Sequence, residues 1–272
     1  MRYVLYRLPE RARVEWIKRK IRGTLFFRIL RRALGYSALN RSSNDNDSNS
    51  DYDQQTVEVM RRVLRSESCC IDIGAHKGDL LRHMVDLAPD GRHYAFEALP
   101  HLAAELRQRF PGVQVYDQAI GDVAGHAEFH FVENAPGYSG LRRRIYDRPD
   151  PLITTIQVRV IPLDEVVPSD QPIAFIKIDI EGGEYHALKG AIRTILQWKP
   201  VIVFEAGIKS TGQYNVTPTQ LFGLVSQTLG YDLSTMRRWM NRLAPYTLAE
   251  FCDNWESGSV YYFMATPNSL HH

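Results

Sequence analysis

An α/β fold built on a mostly parallel sheet, with helices on both faces, is what the 272-residue sequence predicts. Three observations point to it. Short, continuously apolar runs recur along the chain with amphipathic stretches of helical spacing between them, the pattern of strands covered from both sides. Two of these runs, Cys69–Ile73 and Ala174–Asp179, lead into glycine turns flanked by acids, at the strand ends where open α/β sheets bind ligands. The composition, 44% hydrophobic and 24% charged, is that of an ordinary globular chain long enough for one large core.

In chain order, residues 1–39 read as a basic N-terminal helical segment, in which eleven Lys and Arg residues between Met1 and Gly35 face only Glu10 and Glu15. Apolar residues such as Trp16, Ile17, Phe26 and Phe27 give it a loosely amphipathic spacing. It suits either a solvated helix on the domain's edge or contact with an anionic membrane surface or a partner. Residues 40–53, including SSNDNDSNSD, have almost nothing to bury and read as a flexible polar linker. The main domain follows over residues 54–268. Its strand-like runs are Cys69–Ile73, His93–Phe96, Val113–Tyr116, Ala174–Asp179 and Val201–Glu205. Between Ala127 and Val160, alternation at Phe129/Phe131 and Ile156/Val158/Val160 predicts an inserted antiparallel pair. Tyr231–Thr235 and Val260–Ala265 suit a closing pair of strands, with a short helix over Tyr246–Trp255.

A net charge of +2 provides no overall field to attract nucleic acid, and no nucleic-acid partner is expected. Of the three cysteines, Cys69 and Cys70 are neighbours that cannot pair comfortably, and no Cys/His spacing suggests zinc. Reduced thiols and a cytoplasmic setting are the expectation. No stretch approaches the ~20 apolar residues of a membrane span.

The segment Cys69–Gly78, CCIDIGAHKG, is a buried strand entering a glycine turn and a helix. Gly74 suits the tight turn, and Gly78 is expected to admit a bulky ligand at the helix start. The pattern is D-x-G-x-x-x-G rather than the G-x-G-x-x-G that sets backbone N–H groups against a pyrophosphate. S-adenosylmethionine has no phosphate; its ammonium suits a carboxylate such as Asp72. An acid at the end of the next strand should accept from the ribose hydroxyls, and Glu97 stands there. The segment from Tyr116 to Asp122, with Asp117 and Ala119, is placed beside the adenine, although Asp117 and Asp122 read equally well as turn acids. The expected cofactor-binding set is Asp72, Gly74, Ala75, His76, Gly78, Glu97, Ala98, Asp117 and Ala119.

The stretch Ala174–Glu184, AFIKIDIEGGE, ends a buried strand in one acid and sets two more around a Gly-Gly turn. The run Val201–Glu205 ends in another. Carboxylates on adjoining strand ends repel and raise one another's pKa, so Asp179, Glu181 and Glu205 read as a catalytic set. Glu184 is expected to complement the dipole of the helix it opens.

These segments, IDIGAHKGD, a following FE, then KIDIEGGE, LKGA and FE, together resemble the FkbM family of methyltransferases from about Cys69 to Glu205, and more weakly to Ala265. The resemblance implies a Rossmann-like class I methyltransferase fold with an antiparallel final strand. It further implies S-adenosylmethionine as cofactor and methylation of a hydroxyl on a sugar or secondary metabolite. Two positions depart from the pattern. His76 replaces a common Asn, and Ala98-Leu99 separates Phe96-Glu97 from Pro100.

Methyl transfer to a hydroxyl asks for collinear oxygen, carbon and sulfur, and for a general base or a divalent cation to activate the oxygen. Asp179, Glu181 and Glu205 serve either route, magnesium being the cation such oxygens suit, and metal-free base catalysis is preferred here. His76 and His186 are alternative bases. In the inserted region, Tyr138 and Ser139 are expected to contact a small-molecule or glycan acceptor from a mobile loop. The run Arg142-Arg143-Arg144 fits either an anion clamp or a solvated cluster. A nicotinamide-dependent oxidoreductase and an inactive binding protein of the same fold are the competing readings. The missing G-x-G-x-x-G opposes the first, and the intact carboxylates oppose the second.

Overall fold

The structure is a computed structural model and describes residues 49–144, 146 and 150–268. The chain divides into two units, Met1–Asp45 and Asn46–His272. The expected basic helical segment and its membrane or partner contact lie outside the described residues, as does most of the expected linker. No helix among the described residues is long and apolar enough to cross a membrane.

The second unit opens with helix α1 (Asn49–Val63) and continues through β1 (Cys70–Ile73), α2 (Asp79–Leu87), β2 (Tyr94–Phe96), α3 (Pro100–Arg109) and β3 (Gln114–Tyr116). Next come β4 (Ala119–Ile120), β5 (Gly125–Val132), β6 (Ile153–Ile161), α4 (Leu163–Val166), β7 (Phe175–Ile178), α5 (Glu184–Lys189), α6 (Ile192–Trp198) and β8 (Val201–Glu205). The chain closes with α7 (Ile208–Thr211), α8 (Pro218–Gly223), β9 (Tyr231–Ser234), α9 (Met236–Met240), α10 (Leu248–Ser257) and β10 (Tyr262–Pro267).

Seven strands form one sheet in the order β3-β2-β1-β7-β8-β10-β9. All neighbours pair in parallel except β10, which runs antiparallel to both β8 and β9. The sheet therefore has the predicted Rossmann-like class I methyltransferase character, final antiparallel strand included. β1, β2 and β7 are buried along their whole length, which is why they read as apolar runs broken only by Asp72 and Lys177. Two core clusters lie against the sheet, one including Ile71, Ile73, Phe96, Ile176 and Phe204, the other Cys70, Leu81, Met84, Phe175 and Val203. Successive strand residues thus feed opposite faces.

The order reverses at β1, with β2 on one side and β7 on the other, so the carboxyl ends of β1 and β7 open a crevice between them. The inserted pair forms a second sheet, β4-β6-β5, in which Phe129 faces Ile156 and Ala127 faces Val158 across an antiparallel ladder. Its apolar face packs Phe129, Val158 and Val160 onto Ala98, Leu99 and Leu102 at the start of α3. The hairpin is thereby held over one end of the crevice.

One boundary differs from expectation. Helix α1 begins at Asn49, inside the expected linker of residues 40–53. The reason is Tyr52, which is 2% exposed, with its ring stacked on Tyr262 (centroids 5.1 Å apart) and edge-on to Tyr261 (4.7 Å). A single aromatic among polar neighbours gives little sign in composition, yet the tertiary contact is enough to order the first turn.

Candidate active site

A cavity of about 610 Å³, open solvent at its mouth included, lies at the carboxyl ends of β1, β2 and β7. Gly74, His76, Glu97, Ala98 and Ala119 line it together with Asp179 and Glu181, while the hairpin loop contributes Pro136, Gly137, Ser139 and Leu141.

Gly74 has φ +78°, and a Cβ there would sit 1.9 Å from the Asp179 carbonyl oxygen. The glycine turn and the acidic turn are therefore packed backbone to backbone, which only glycine allows. The turn is fixed further by the Gly74 and Ala75 N–H groups, which both donate to the Phe96 carbonyl (2.9 and 3.0 Å). His76 follows at φ 48°. Its N–H donates to Glu97 Oε2 at 2.8 Å, and the Leu99 N–H donates to Glu97 Oε1 at 2.9 Å. These two bonds aim the carboxylate into the cavity and leave further lone pairs on each oxygen. Burial nevertheless dominates and raises the Glu97 pKa. It lowers that of His76, helped by Lys77 and Lys177. His76 Nε2 is buried without a partner.

Four members of the expected cofactor set lie elsewhere. Asp72 is 1% exposed and faces Lys177, whose Nζ stands 3.2 Å from Asp72 Oδ1 and donates to the Gly74 carbonyl at 2.7 Å. The register puts the two residues side by side on β1 and β7, so the carboxylate is committed to an internal cation rather than to the cavity. Ala75 is 5% exposed and packs into the core. Gly78 is needed because a Cβ would meet Leu106 at 2.6 Å and Phe110 at 2.7 Å, so its smallness serves packing against α3 rather than ligand approach. Asp117 pairs at the surface with Arg107, 3.0 Å away. Asp122, from the same segment, bonds His186 (3.0 Å) and Lys189 (2.6 Å), which also gives His186 a structural partner away from the cavity.

The catalytic candidates converge. One carboxylate oxygen from each of Asp179, Glu181 and Glu205 lies within 4.8 Å of the others. Their partners differ. The Tyr262 hydroxyl donates to Asp179 Oδ2, and the Arg144 guanidinium pairs with Glu181. Glu205 stands behind them, outside the lining. Burial, then the charges of Asp179 and Glu184, push its carboxyl well above the usual range. Glu181 adopts φ 60°, a left-handed conformation rare outside glycine. Glu184 is fully buried, and its Oε1 accepts from the Ile180 N–H (3.0 Å) and the Gly182 N–H (3.1 Å). It clasps the acidic turn rather than merely complementing a helix dipole, and burial raises its pKa to about 7.

Of the expected acceptor contacts, Ser139 lines the cavity, but its hydroxyl accepts from the Val132 N–H at 3.0 Å. Tyr138 lies outside the lining with the Arg144 guanidinium over its ring, 5.2 Å from the centroid. Arg144 is thus tied into the fold, whereas Arg142 and Arg143 are exposed. Sequence reasoning misses Lys177 and Tyr262 and takes Arg144 only as part of a basic run that clamps an anion or is solvated. For Lys177 a signal existed, since a lysine within an otherwise apolar buried strand demands a charge partner.

The family model described as the methyltransferase FkbM domain matches residues 72–244. The chain is similar to the methyltransferase FkbM from Methylobacillus flagellatus KT, at 18% identity and a TM-score of 0.48 over 80% of this chain and 50% of that one. It is also similar to the O-methyltransferase from Bacillus cereus in complex with SAH (12% identity, TM-score 0.43, covering 88% and 90%). A third likeness is to precorrin-6y C5,15-methyltransferase from Geobacter metallireducens GS-15 (14%, TM-score 0.39, covering 71% and 77%). The chain spans about half the length of the first of these. No curated protein matches it. The family model takes in the glycine turn, the inserted hairpin and both acid-ended strands, and the chain belongs to the FkbM family of methyltransferases.

Proposed function

We propose that this chain transfers a methyl group from S-adenosylmethionine to a hydroxyl oxygen of a small molecule or glycan, with Asp179 as the general base. One observation carries the reading: a single cavity is lined both by Glu97, suited to a ribose diol, and by the acids Asp179 and Glu181. Glu97, Ala98 and Ala119 would hold the adenosine, with the unpartnered His76 Nε2 as a further polar group of the same cavity.

In the reaction the acceptor oxygen attacks the methyl carbon, the carbon–sulfur bond breaks, and the electron pair stays on sulfur as a neutral thioether. The hydroxyl proton passes to a base, and the chain's task is to hold the three atoms in line while it does so. The cluster's partners divide the roles. Glu181 is neutralised by Arg144, and Glu205 is driven towards its protonated form by burial. Asp179, whose side chain is 30% exposed at the cavity, is left as the acceptor of the proton. Arg144 on Glu181 and the Tyr262 hydroxyl on Asp179 compete with a divalent cation for these oxygens, which favours metal-free base catalysis.

Calorimetry with S-adenosylmethionine and with NADH tests the cofactor, and mass spectrometry over a panel of hydroxylated acceptors tests the transfer. Binding of S-adenosylmethionine alone and an added mass of one methyl group are expected. NADH binding in its place overturns the reading.

A further inference from the structure

Strand β10 was expected only to close the sheet, yet it delivers a functional group to the crevice. Tyr262, its first residue, lies directly across the antiparallel ladder from Glu205. Its hydroxyl reaches past that residue to Asp179, at the end of the neighbouring parallel strand. The ring is 7% exposed and stacked on Tyr52 of α1, with interplanar angle 26°. Packing thus holds the phenol in one place, and its single donor is spent on one oxygen of Asp179.

Other groups also surround Asp179. Lys177, on the same strand, is 4.0 Å away and already engaged with Asp72 and the Gly74 carbonyl. Glu205 on β8, driven towards its protonated form by burial, shares a hydrogen bond with Asp179, whereas Glu184 on α5 and Asp53 on α1 repel it when ionised. Arg144 in the hairpin loop is paired with Glu181, and His76 in the glycine turn is held by burial in its neutral form.

We propose that Tyr262, locked by Tyr52, is a positioning residue for methyl transfer, fixing one oxygen of Asp179 so that the other faces the acceptor hydroxyl. This rests on the reading of Asp179 as the base. A carboxylate turned by one rotamer points its free oxygen out of line with the acceptor, and such misplacement is costly to a reaction that depends on alignment. Burial, then the Asp179 carboxylate beside it, raise the phenol's own pKa, so it remains a donor across the physiological range.

The test uses the full chain. Tyr262→Phe keeps the ring stacked on Tyr52 and removes only the hydroxyl. Crystal structures of the parent and this variant with S-adenosylhomocysteine are expected to show Asp179 leaving its rotamer in the variant. Calorimetry should find S-adenosylmethionine affinity within about threefold of the parent. In the parent labelled with 3-fluorotyrosine, the Tyr262 fluorine resonance is the one missing from the variant. Asp179→Asn should move that resonance and let the phenol titrate at lower pH, a readout that survives if Tyr262→Phe folds poorly. An Asp179 carboxylate unmoved in Tyr262→Phe, or a Tyr262 resonance indifferent to Asp179→Asn, overturns the positioning role. Failure of the parent to bind S-adenosylmethionine overturns the methyl-transfer reading instead, and the two failures are read from different measurements.

Discussion

The Lys177 ammonium and the Asp72 carboxylate lie 3.2 Å apart in the middle of the sheet, with 6% and 1% of their side chains exposed. Neither charge has water to fall back on, so removing one strands the other. Burial outweighs the ammonium and raises the Asp72 pKa, while the surrounding carboxylates hold the Lys177 proton more tightly. Lys177→Met should cost about 3–5 kcal/mol of stability, and the double variant Asp72→Asn/Lys177→Met distinctly less than the sum of its parts. Urea unfolding of the four proteins in this cycle measures it; additivity would show that the pair is not coupled.

Glu184 should impose a pH dependence on stability. Its folded pKa of about 7 lies above the ordinary 4.5, so the folded chain holds this proton where the unfolded chain has lost it. The group's contribution is present below the ordinary value and is lost as pH rises to about 7. Glu184→Gln keeps an oxygen for the Ile180 and Gly182 N–H groups and removes the titration. The parent should lose on the order of 3 kcal/mol relative to the variant between about pH 4.5 and 7. Unfolding midpoints in urea at pH 5 and pH 8 supply the comparison, and parallel curves would refute it.

The two glycines of the turn after β1 should respond unequally to alanine. At Gly74 the new Cβ meets the rigid Asp179 backbone at 1.9 Å; at Gly78 it meets side-chain ends of Leu106 and Phe110 that can yield. Gly74→Ala is expected to cost about 3 kcal/mol or more and Gly78→Ala about 1–2, both positions having positive φ. Thermal unfolding distinguishes them. Equal losses would mean that the two turns do not touch as described.

Cofactor affinity and chemistry should separate along the cavity. Glu97→Gln removes the charge from the ribose contact and is expected to weaken S-adenosylmethionine binding roughly ten- to a hundredfold. Asp179→Asn should leave affinity within a few-fold while lowering the single-turnover rate by about a hundred- to ten-thousandfold. Because Arg144 occupies Glu181, chelator should leave the rate unchanged. Isothermal calorimetry and rapid-quench transfer assays with and without chelator provide the measurements. An Asp179→Asn variant of full activity removes that residue from the chemistry.

The start of the folded domain should fall before α1. Tyr52, Val59 and Met60 are buried, so a chain beginning at Asn46 is expected to fold and bind the cofactor. One beginning at Leu64 should not. Circular dichroism and calorimetry on the two truncated chains decide the boundary.

Local pattern determined the strands, the inserted hairpin and the acid-ended turns, because periodicity and glycine placement report which faces are buried and where the chain must bend. It located Gly74, Glu97, Asp179 and Glu181 at one crevice, since strand ends of an open parallel sheet share an edge. The sequence by itself could not say which way Asp72 was committed. Its partner is a lysine on a strand far along the chain, brought beside it only by the β1–β7 register. Gly78 read as a ligand contact because its true neighbours belong to α3, and Tyr52 read as linker because its stacking partner lies on the last strand. The same long-range pairing set Tyr262 on Asp179 and Arg144 on Glu181. Residue type and spacing fix what a side chain can do; only the assembled sheet fixes which partner it meets.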